Sequence, residues 1–355
     1  MSISARKGHT PNKMSGVFSI RTIVLVALCL QNAVYTLMRK YSTKYEDVSA
    51  KEILLVGEVI KIFFSIIMIM READTAKSDS QGEGIEKLWW LIKNSSKMFV
   101  LSGIYGAMNI LSFVALQYIG AGEFTICAQL KILTTAGFAV LVLNRSLTAT
   151  KWRALALLVL GCILVASPSF TGDNKTVSSG SGGLIAGEAF GYAAVMLEVC
   201  LSGFASIYFE KVVKSTTELV TIWERNFQLG MYSVVMYSGL ILYEGYFGTQ
   251  PTAAAAEAGA AAGAAGEVLV RAAWSHWSWV TVTVAVLGAM GGLLVAATLK
   301  YADAILKTLA SAGAIVLATA VGHYALGGPL DYIIVTGSLV AILAISNYTL
   351  DATAQ

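Results

Sequence analysis

The sequence predicts an all-α membrane protein in which ten transmembrane helices form two inverted five-helix repeats. Three observations lead to this fold class. Of the 355 residues, 56% are hydrophobic and only 13% are charged, about half of the roughly 25% that a soluble domain carries. Ten apolar segments are each long enough to cross a bilayer. A motif in the fourth segment recurs in the ninth, which divides the chain into two halves.

The apolar segments have the lengths of membrane helices. They fall at residues 18–39, 50–70, 98–118, 122–144, 151–169, 184–209, 219–247, 277–299, 303–326 and 329–350. A membrane β-barrel would show short alternating segments rather than continuous apolar runs of about twenty residues, so the spans are predicted to be helices. The connection EKLWWLIKNSSK mixes aromatic and basic residues, which is typical of a helix at the membrane interface.

The distribution of Lys and Arg predicts that both termini are cytosolic. With the N-terminus in the cytosol, sixteen basic residues fall on that side and six on the other, in line with the positive-inside rule. The predicted domains are a cytosolic tail (1–17), a first five-helix repeat (18–169), a lumenal loop (170–183), a second five-helix repeat (184–350) with an Ala-rich lumenal insert (249–273), and a cytosolic tail (351–355). The triplet that begins at Asn174 is a glycosylation candidate in the lumenal loop.

The repeated motif predicts the symmetry of the fold. From Lys131 the chain reads KILTTAGFAVL and from Lys307 it reads KTLASAGAIVL, at an offset of 176 residues. Each copy lies in the fourth of five segments. Because five is odd, the second half enters the membrane from the opposite side. Two inverted five-helix halves are typical of an alternating-access transporter.

Charged residues at membrane depth indicate the kind of ligand. Lys131 has no opposite charge three or four residues away along its helix, so its partner is another helix, water or a ligand. A lysine in hydrocarbon costs roughly 2.5–3.5 kcal/mol on insertion scales, which favours a functional role. Lysines from both halves suit an anion, and phosphate is a good candidate. Glu58 and Lys61 lie three residues apart, and either pair with each other or contact substrate.

Polar and aromatic side chains in neighbouring segments are candidates for contacts to a base, a ribose or a sugar, although each is also a plausible interhelical hydrogen bond. They are Tyr105, Asn109, Gln129, Ser202, Gly203, Ser206 and Asn226. The four cysteines show no C-x-x-C spacing and there are three histidines. The pattern therefore predicts no zinc site, no disulfide framework and no cofactor.

Four stretches resemble the signature sequences of Golgi nucleotide-sugar transporters, in the branch that carries CMP-sialic acid, UDP-galactose and UDP-N-acetylglucosamine. They are AQLKILTTAGFAVLVLNRSL, LSGFASIYFEKVVKS, WERNFQLGMY and GGLLVAATLKYADAILKTLASAGAIVLAT. The likeness runs in order from about Tyr35 to Tyr348. It is absent from the N-terminal tail and from the Ala-rich insert.

The resemblance implies the drug/metabolite transporter fold in the Golgi membrane, with ten helices and cytosolic termini. It implies exchange of a nucleotide sugar for a nucleoside monophosphate, UMP or CMP. By motif, Lys131 and Lys300 resemble phosphate ligands, whereas the internal repeat pairs Lys131 with Lys307. The other positions that match the family are the pocket residues Tyr105, Asn109, Ser202, Gly203 and Asn226, and the transport or structural residues Glu58, Lys61 and Glu210.

The resemblance favours UDP-galactose or UDP-N-acetylglucosamine over CMP-sialic acid. Phe124 stands where sialic-acid carriers have tyrosine and UDP-sugar carriers tend to have phenylalanine, so its side of the cavity is expected to accommodate the sugar. Cys127, Ala128 and Ala304 depart from the family pattern, which leaves CMP-sialic acid open as an alternative substrate.

Other classes of function remain as alternatives. A proton-coupled drug or metabolite exporter of the same fold would use a buried carboxylate, such as Glu198 or Glu58. A membrane glycosyltransferase would need acidic pairs in large loops, and the loops here lack them. A seven-helix receptor disagrees with the segment count. The chain is therefore expected not to be an enzyme. Its expected partner is the lipid bilayer and no nucleic acid is expected. A homodimer is left open.

Overall fold

The computed structural model describes residues 19–45, 50–75, 85–166, 183–215, 220–247, 277–327 and 330–353, and these are entirely helical apart from short connections. The helices are α1 (Ile20–Tyr45), α2 (Ala50–Thr75), α3 (Ile85–Lys93), α4 (Ser96–Tyr118), α5 (Ala121–Gln129), α6 (Lys131–Leu143), α7 (Ala149–Ala166), α8 (Gly183–Val213), α9 (Ile222–Phe247), α10 (Trp279–Tyr301), α11 (Ala304–Leu326) and α12 (Tyr332–Thr353). The all-α prediction is confirmed for this part of the chain.

Within the described ranges, nine helical stretches are long and apolar enough to cross a membrane, with α5 and α6 counted together as one. The chain is therefore a multi-pass membrane protein. Helix α9 coincides with the seventh predicted segment but is not among the nine. Its first two turns carry Glu224, Arg225, Asn226 and Gln228, all of them buried.

The fourth predicted segment is interrupted at Leu130, between α5 and α6. The Leu130 N–H donates to the Cys127 carbonyl at 3.0 Å, which is a 3₁₀-type bond that tightens the chain at this point. Lys131 is consequently the first residue of α6, and Lys307 lies in the first turn of α11, just after the Asp303 cap. Both lysines therefore lie at helix N-termini, where the helix dipole adds positive potential.

Helices α7 and α12 approach each other closely through two glycines. A Cβ atom on Gly161 would lie 2.8 Å from the Ala341 nitrogen and 2.9 Å from the Gly337 carbonyl oxygen, and a Cβ atom on Gly337 would lie 2.8 Å from the Gly161 carbonyl oxygen. Only glycine allows the two backbones to approach so closely, as is typical of small-residue contacts between membrane helices. Gly161 and Gly337 are 176 residues apart, the same separation as Lys131 and Lys307.

A charged cluster joins the ends of several helices. Glu210 is 0% exposed and its carboxylate pairs with Arg145 at 2.5 Å and with Lys214 at 2.7 Å. Its other oxygen accepts the Ala304 N–H at 2.8 Å. Arg145 also contacts Asp303 at 3.5 Å. Glu210 thus connects the C-terminal end of α8 to the start of α11 and to the α6–α7 connection.

Several predicted features lie outside the described residues. These are the N-terminal tail, the lumenal loop as far as residue 182, the Ala-rich insert 249–273 and the glycosylation candidate Asn174. The short helix α3 lies where the interfacial helix was predicted, and Trp89 on it is exposed.

Candidate functional site

The two repeat-related lysines line the same cavity. This lysine cavity has a volume of about 220 Å³ and lies among α1, α5, α6, α8, α10 and α11. Its polar lining residues are Asn32, Gln129, Lys131, Thr135, Ser202, Ser206, Lys307, Thr308 and Ser311. The sequence-predicted residues Lys131, Lys307, Gln129, Ser202 and Ser206 are therefore brought together here. Because α6 and α11 lie in opposite halves of the chain, the cavity forms at the junction of the halves.

The ammonium groups of the lysine cavity lack carboxylate partners. The Lys307 Nζ atom donates to the Ser206 Oγ atom at 2.7 Å. Lys131 is exposed to the cavity, and neither lysine forms an ion pair with any residue that the structure describes. The two positive charges are close enough to interact. Like charges repel, so an anion between them would be stabilised by both.

Two cavity residues were missed as candidate ligands although the repeat had marked them. Thr135 and Ser311 occupy the same position of the repeated motif, and both line the lysine cavity. The Thr135 hydroxyl donates to the Lys131 carbonyl at 2.7 Å, and the Ser311 hydroxyl accepts from the Asn32 amide at 3.4 Å. The Ser311 hydroxyl keeps its own O–H donor beside the lysines, whereas the O–H of Thr135 is used within its helix.

A second cavity, the tyrosine cavity, has a volume of about 270 Å³ and is lined by four of the remaining candidates, Glu58, Lys61, Tyr105 and Asn109. Its polar lining residues are Glu58, Lys61, Tyr105, Asn109, Ser112, Glu198, Ser233 and Tyr237. Lys61 forms an ion pair with Glu58 at 2.6 Å, which is one of the two possibilities left open by the sequence, although the Glu58 Oε2 atom has no hydrogen bond of regular geometry. The Glu198 Oε2 atom is buried without a hydrogen-bond partner.

A third cavity, the amide cavity, lies between α1, α2 and α10 and has a volume of about 200 Å³. Its polar lining residues are Gln31, Asn32, Tyr35 and Glu58. The three cavities adjoin, because Val295 lines all of them and Asn32 lines both the lysine cavity and the amide cavity. Together they fall within the roughly 300–1,000 Å³ that is usual for small-molecule sites.

The remaining predicted site residues do not line any of these three cavities. Lys300 is exposed at the end of α10, with its Nζ atom 5.7 Å from the centre of the Tyr301 ring. The Asn226 amide donates to the Ile222 carbonyl of its own helix at 3.0 Å. Phe124 packs against the apolar cluster around Val195.

Gly203 and Glu210 have structural surroundings. A Cβ atom on Gly203 would lie 2.6 Å from the Thr134 Oγ1 atom, so the glycine allows α8 to pack closely on α6. Glu210 lies in the charged cluster described above. Neither residue faces one of the three cavities.

The chemistry of the cavities is that of binding. In the described part of the chain, no three or more His, Cys, Asp or Glu side chains form a group that could hold a metal ion. The groups that face the cavities are ammonium, amide, hydroxyl and carboxylate groups. Such groups hold and orient a polar anionic molecule through ionic contacts and hydrogen bonds.

Comparisons with known proteins identify the family of this chain. A family model described as nucleotide-sugar transporter matches residues 17–349. The UDP-galactose/UDP-N-acetylglucosamine transporter srf-3 of Caenorhabditis elegans is 32% identical over 308 residues, which cover 85% of this chain and 74% of that protein. The UDP-N-acetylglucosamine transporter of Homo sapiens is 29% identical over 312 residues, 86% of this chain and 87% of that protein.

Two further similarities are informative. The UDP-galactose translocator of Homo sapiens is 35% identical over 257 residues, which cover 72% of this chain and 57% of that protein. A solved crystal structure shares the fold with a TM-score of 0.62 at 14% sequence identity, covering 93% of this chain and 97% of the other. The match of the family model across nearly the whole chain, together with relatives that are named transporters and not enzymes, shows that the chain belongs to the nucleotide-sugar transporter family.

Proposed function

We propose that this protein is an antiporter that carries a pyrimidine nucleotide sugar from the cytosol into the Golgi lumen in exchange for a nucleoside monophosphate, UMP or CMP. The observation that carries the proposal is the lysine cavity. Lys131 and Lys307 reach it from opposite halves of the chain, and neither has a carboxylate partner among the described residues. A phosphate bound there would neutralise both charges.

We further propose ten spans in two inverted repeats, the architecture of alternating access. The helix packing supports it. In the proposed repeat the counterparts of α1, α2, α4, α6 and α7 are α8, α9, α10, α11 and α12. Helix α1 contacts α10 and α11, and its counterpart α8 likewise contacts α4 and α6. The contacts of α2 with α9 and of α7 with α12 each join a helix to its own counterpart. The Gly161–Gly337 contact, at the repeat offset, follows the same symmetry.

The three cavities suggest where each part of the substrate binds. The phosphates would occupy the lysine cavity, with Lys131 and Lys307 as ionic contacts and Ser206 beside them. The base and ribose would occupy the tyrosine cavity, where Asn109 and Tyr237 offer polar groups and Tyr105 offers an aromatic face. In this conformation Lys307 is better placed than Lys300 as the second phosphate contact.

The sugar is proposed to be galactose or N-acetylglucosamine. This follows from the names of the relatives, which carry UDP-galactose or UDP-N-acetylglucosamine. CMP-sialic acid is the alternative within the family. Phe124, the residue expected on the sugar side of the cavity, packs in an apolar cluster and lines none of the three cavities.

Exchange, rather than one-way transport, follows from the electrostatics of the lysine cavity. An empty cavity holds two ammonium groups that form no ion pair in the described structure, and moving charge that is only partly offset through an apolar environment is costly. A cavity that always carries a nucleotide changes conformation with its charges neutralised. The opposite gradient of the monophosphate can then drive sugar-nucleotide uptake, because each ligand only needs to bind both conformations.

The test is transport by the purified full-length protein in liposomes preloaded with UMP or CMP. We expect rapid uptake of UDP-galactose or UDP-N-acetylglucosamine that depends on the internal monophosphate. Lys131→Ala should lose most of this uptake, whereas Lys93→Ala, at the exposed end of α3 and outside the cavities, should not. Failure to exchange any nucleotide or nucleotide sugar would overturn the proposal.

The same liposomes address the alternatives. Preference for CMP-sialic acid over both UDP-sugars would assign the sialic-acid branch. Proton-driven transport that needs no internal nucleotide would favour a drug or metabolite exporter, with Glu198 as the candidate proton carrier because its Oε2 atom lacks a partner. The two ammonium groups of the lysine cavity favour an anionic substrate over a cationic one.

A further inference from the structure

Gln31 on α1 is a buried amide with an unused acceptor. Its side chain is only 8% exposed and its Nε2 atom donates to the Leu287 carbonyl at 2.7 Å. A carbonyl oxygen can only accept, so this bond fixes the amide orientation and identifies the other atom as Oε1. That Oε1 atom is buried and has no hydrogen-bond partner.

The position of this amide depends on Gly291 of α10. A Cβ atom at residue 291 would lie 2.8 Å from Gln31 Nε2 and 3.1 Å from Oε1, too close for the amide to stay where it is. The amide cavity is lined by both residues. A buried acceptor without a partner costs free energy, and a ligand that donates a hydrogen bond to it removes that cost.

The other polar groups of the amide cavity define the ligand chemistry. Asn32, Tyr35 and Glu58 line it, and no Lys or Arg does. The Glu58 carboxylate is paired with Lys61 at 2.6 Å, whereas the Gln31 carbonyl oxygen has no partner. A carbonyl oxygen accepts hydrogen bonds from neutral hydroxyl groups and does not attract an anion. The volume of about 200 Å³ equals six or seven water molecules at roughly 30 Å³ each, which is room for one sugar ring with its hydroxyl groups.

The amide cavity adjoins the lysine cavity, where the phosphates are proposed to bind. It shares Asn32 with the lysine cavity, and the Asn32 amide donates to Ser311 of that cavity at 3.4 Å. In a nucleotide sugar the phosphates stand between the nucleoside and the sugar. Phosphates held by Lys131 and Lys307 would therefore have the nucleoside on the tyrosine-cavity side and the sugar on the amide-cavity side.

We infer that the amide cavity is the subsite for the sugar of the substrate, and that Gln31 is a specificity-determining residue that accepts a hydrogen bond from a sugar hydroxyl. This inference rests on the proposed nucleotide-sugar transport and adds to it the place and the chemistry of sugar recognition. A subsite with an unpartnered carbonyl acceptor, and with its one carboxylate already paired to Lys61, suits the hydroxyl groups of a neutral hexose better than the carboxylate of a sialic acid.

The main test compares two exchange reactions in liposomes that contain full-length protein. Gln31→Met preserves approximate volume but removes the acceptor. The KM for UDP-galactose or UDP-N-acetylglucosamine should rise about 3- to 10-fold, the loss of one neutral hydrogen bond. The exchange of UMP for UMP, which involves no sugar, should keep its KM within about twofold. Retained UMP exchange also shows that the variant is folded.

A second variant displaces the amide without changing Gln31. Gly291→Ala should raise the KM for the UDP-sugar selectively, because its methyl group would occupy the place of the amide. Gly239→Ala on α9 is the matched control, since an added Cβ there meets nothing within 4 Å, and it should leave both reactions unchanged.

The outcomes separate the two proposals. If Gln31→Met changes UDP-sugar and UMP exchange equally, or changes neither, the sugar subsite is wrong while nucleotide transport stands. If the unsubstituted protein exchanges UMP but prefers CMP-sialic acid, the acceptor-based selectivity is wrong. If the unsubstituted protein exchanges no nucleotide at all, the proposed function is wrong and the subsite with it.

Discussion

At the scale of single residues, two lysines at related positions meet in one cavity and a third does not. Lys131 and Lys307 line the lysine cavity, and Lys300 is exposed at the end of α10. The internal repeat alone pairs Lys131 with Lys307, whereas resemblance to the family points to Lys300. Substitutions can decide which of the two lysines contributes to the proposed transport.

Lys307→Met should impair transport far more than Lys300→Met. A charge-assisted hydrogen bond contributes about 1.5–3 kcal/mol, so loss of the Lys307 contact should raise the KM for UDP-sugar by roughly 10- to 100-fold. Lys300→Met should change it by less than about threefold. The measurement is initial uptake into UMP-loaded liposomes. The reverse order of effects would assign the second phosphate contact to Lys300.

Glu198 should weaken nucleotide binding in the unsubstituted protein. Its carboxylate has an unpartnered oxygen in the tyrosine cavity and interacts electrostatically with Lys131, so it offsets part of the charge available to phosphate. Glu198→Gln should lower the KM for UMP by about 3- to 10-fold, corresponding to roughly 1 kcal/mol of removed repulsion. Glu86→Gln, exposed on α3, is the control. A higher KM would instead indicate that Glu198 accepts a hydrogen bond from the ribose.

At the scale of helices, the apolar spans were easier to predict than the breaks within them. The apolar runs were predictable from hydropathy because a spanning helix needs about twenty apolar residues. The break at Leu130 was not, since α5 and α6 are both apolar. The lack of a partner for the Gln31 Oε1 atom was likewise not predictable from the sequence. It depends on the Leu287 carbonyl and on Gly291, more than 250 residues away along the chain, and only packing brings these together.

Glu210 should stabilise the junction of α8 with α11. Breaking a buried ion pair costs 3–5 kcal/mol, but Arg145 and Lys214 keep 30% and 35% of their side chains exposed and can be solvated again. We therefore expect Glu210→Gln to cost about 1–3 kcal/mol and to lower the Tm in detergent by several degrees. Lys211→Gln, exposed on the same helix, should leave the Tm unchanged. An unaltered Tm for Glu210→Gln would show that the cluster contributes little to stability.

At the scale of the whole molecule, the features that were predictable from the sequence are those set by local and repeated patterns of residues. Hydropathy gave the multi-pass helical class, and the repeated lysine motif singled out two of the residues that meet in the lysine cavity. The surroundings of Asn226 and Phe124 could not be predicted in this way, because a polar or aromatic residue looks the same in sequence whether it bonds its own helix or faces a cavity. The charged and polar residues at the start of α9 lower its mean hydropathy, so α9 is missing from the nine apolar stretches.

An even number of spans should place both termini on the same side of the membrane. The distribution of basic residues predicts the cytosol for this side. Epitope tags at the two ends should both react with antibody in cells whose plasma membrane alone is permeabilised. A lumenal tag on the N-terminal side of Gly183 should react only after the Golgi membrane is opened. Tags on opposite sides would mean an odd number of spans.

The contact between Gly161 and Gly337 has a consequence for how such a chain is put together. If the two halves are repeats, each glycine meets its own counterpart, as in the isologous interface of a C₂ dimer. Residues 1–170 and 171–355 expressed as separate chains should then associate in the membrane and co-purify, with α7 and α12 contributing one of the contacts between them. Gly161→Leu should lower the yield of the co-purified pair, because its side chain would overlap the Ala341 backbone. The contact would then hold two polypeptides together as readily as it joins two halves of one.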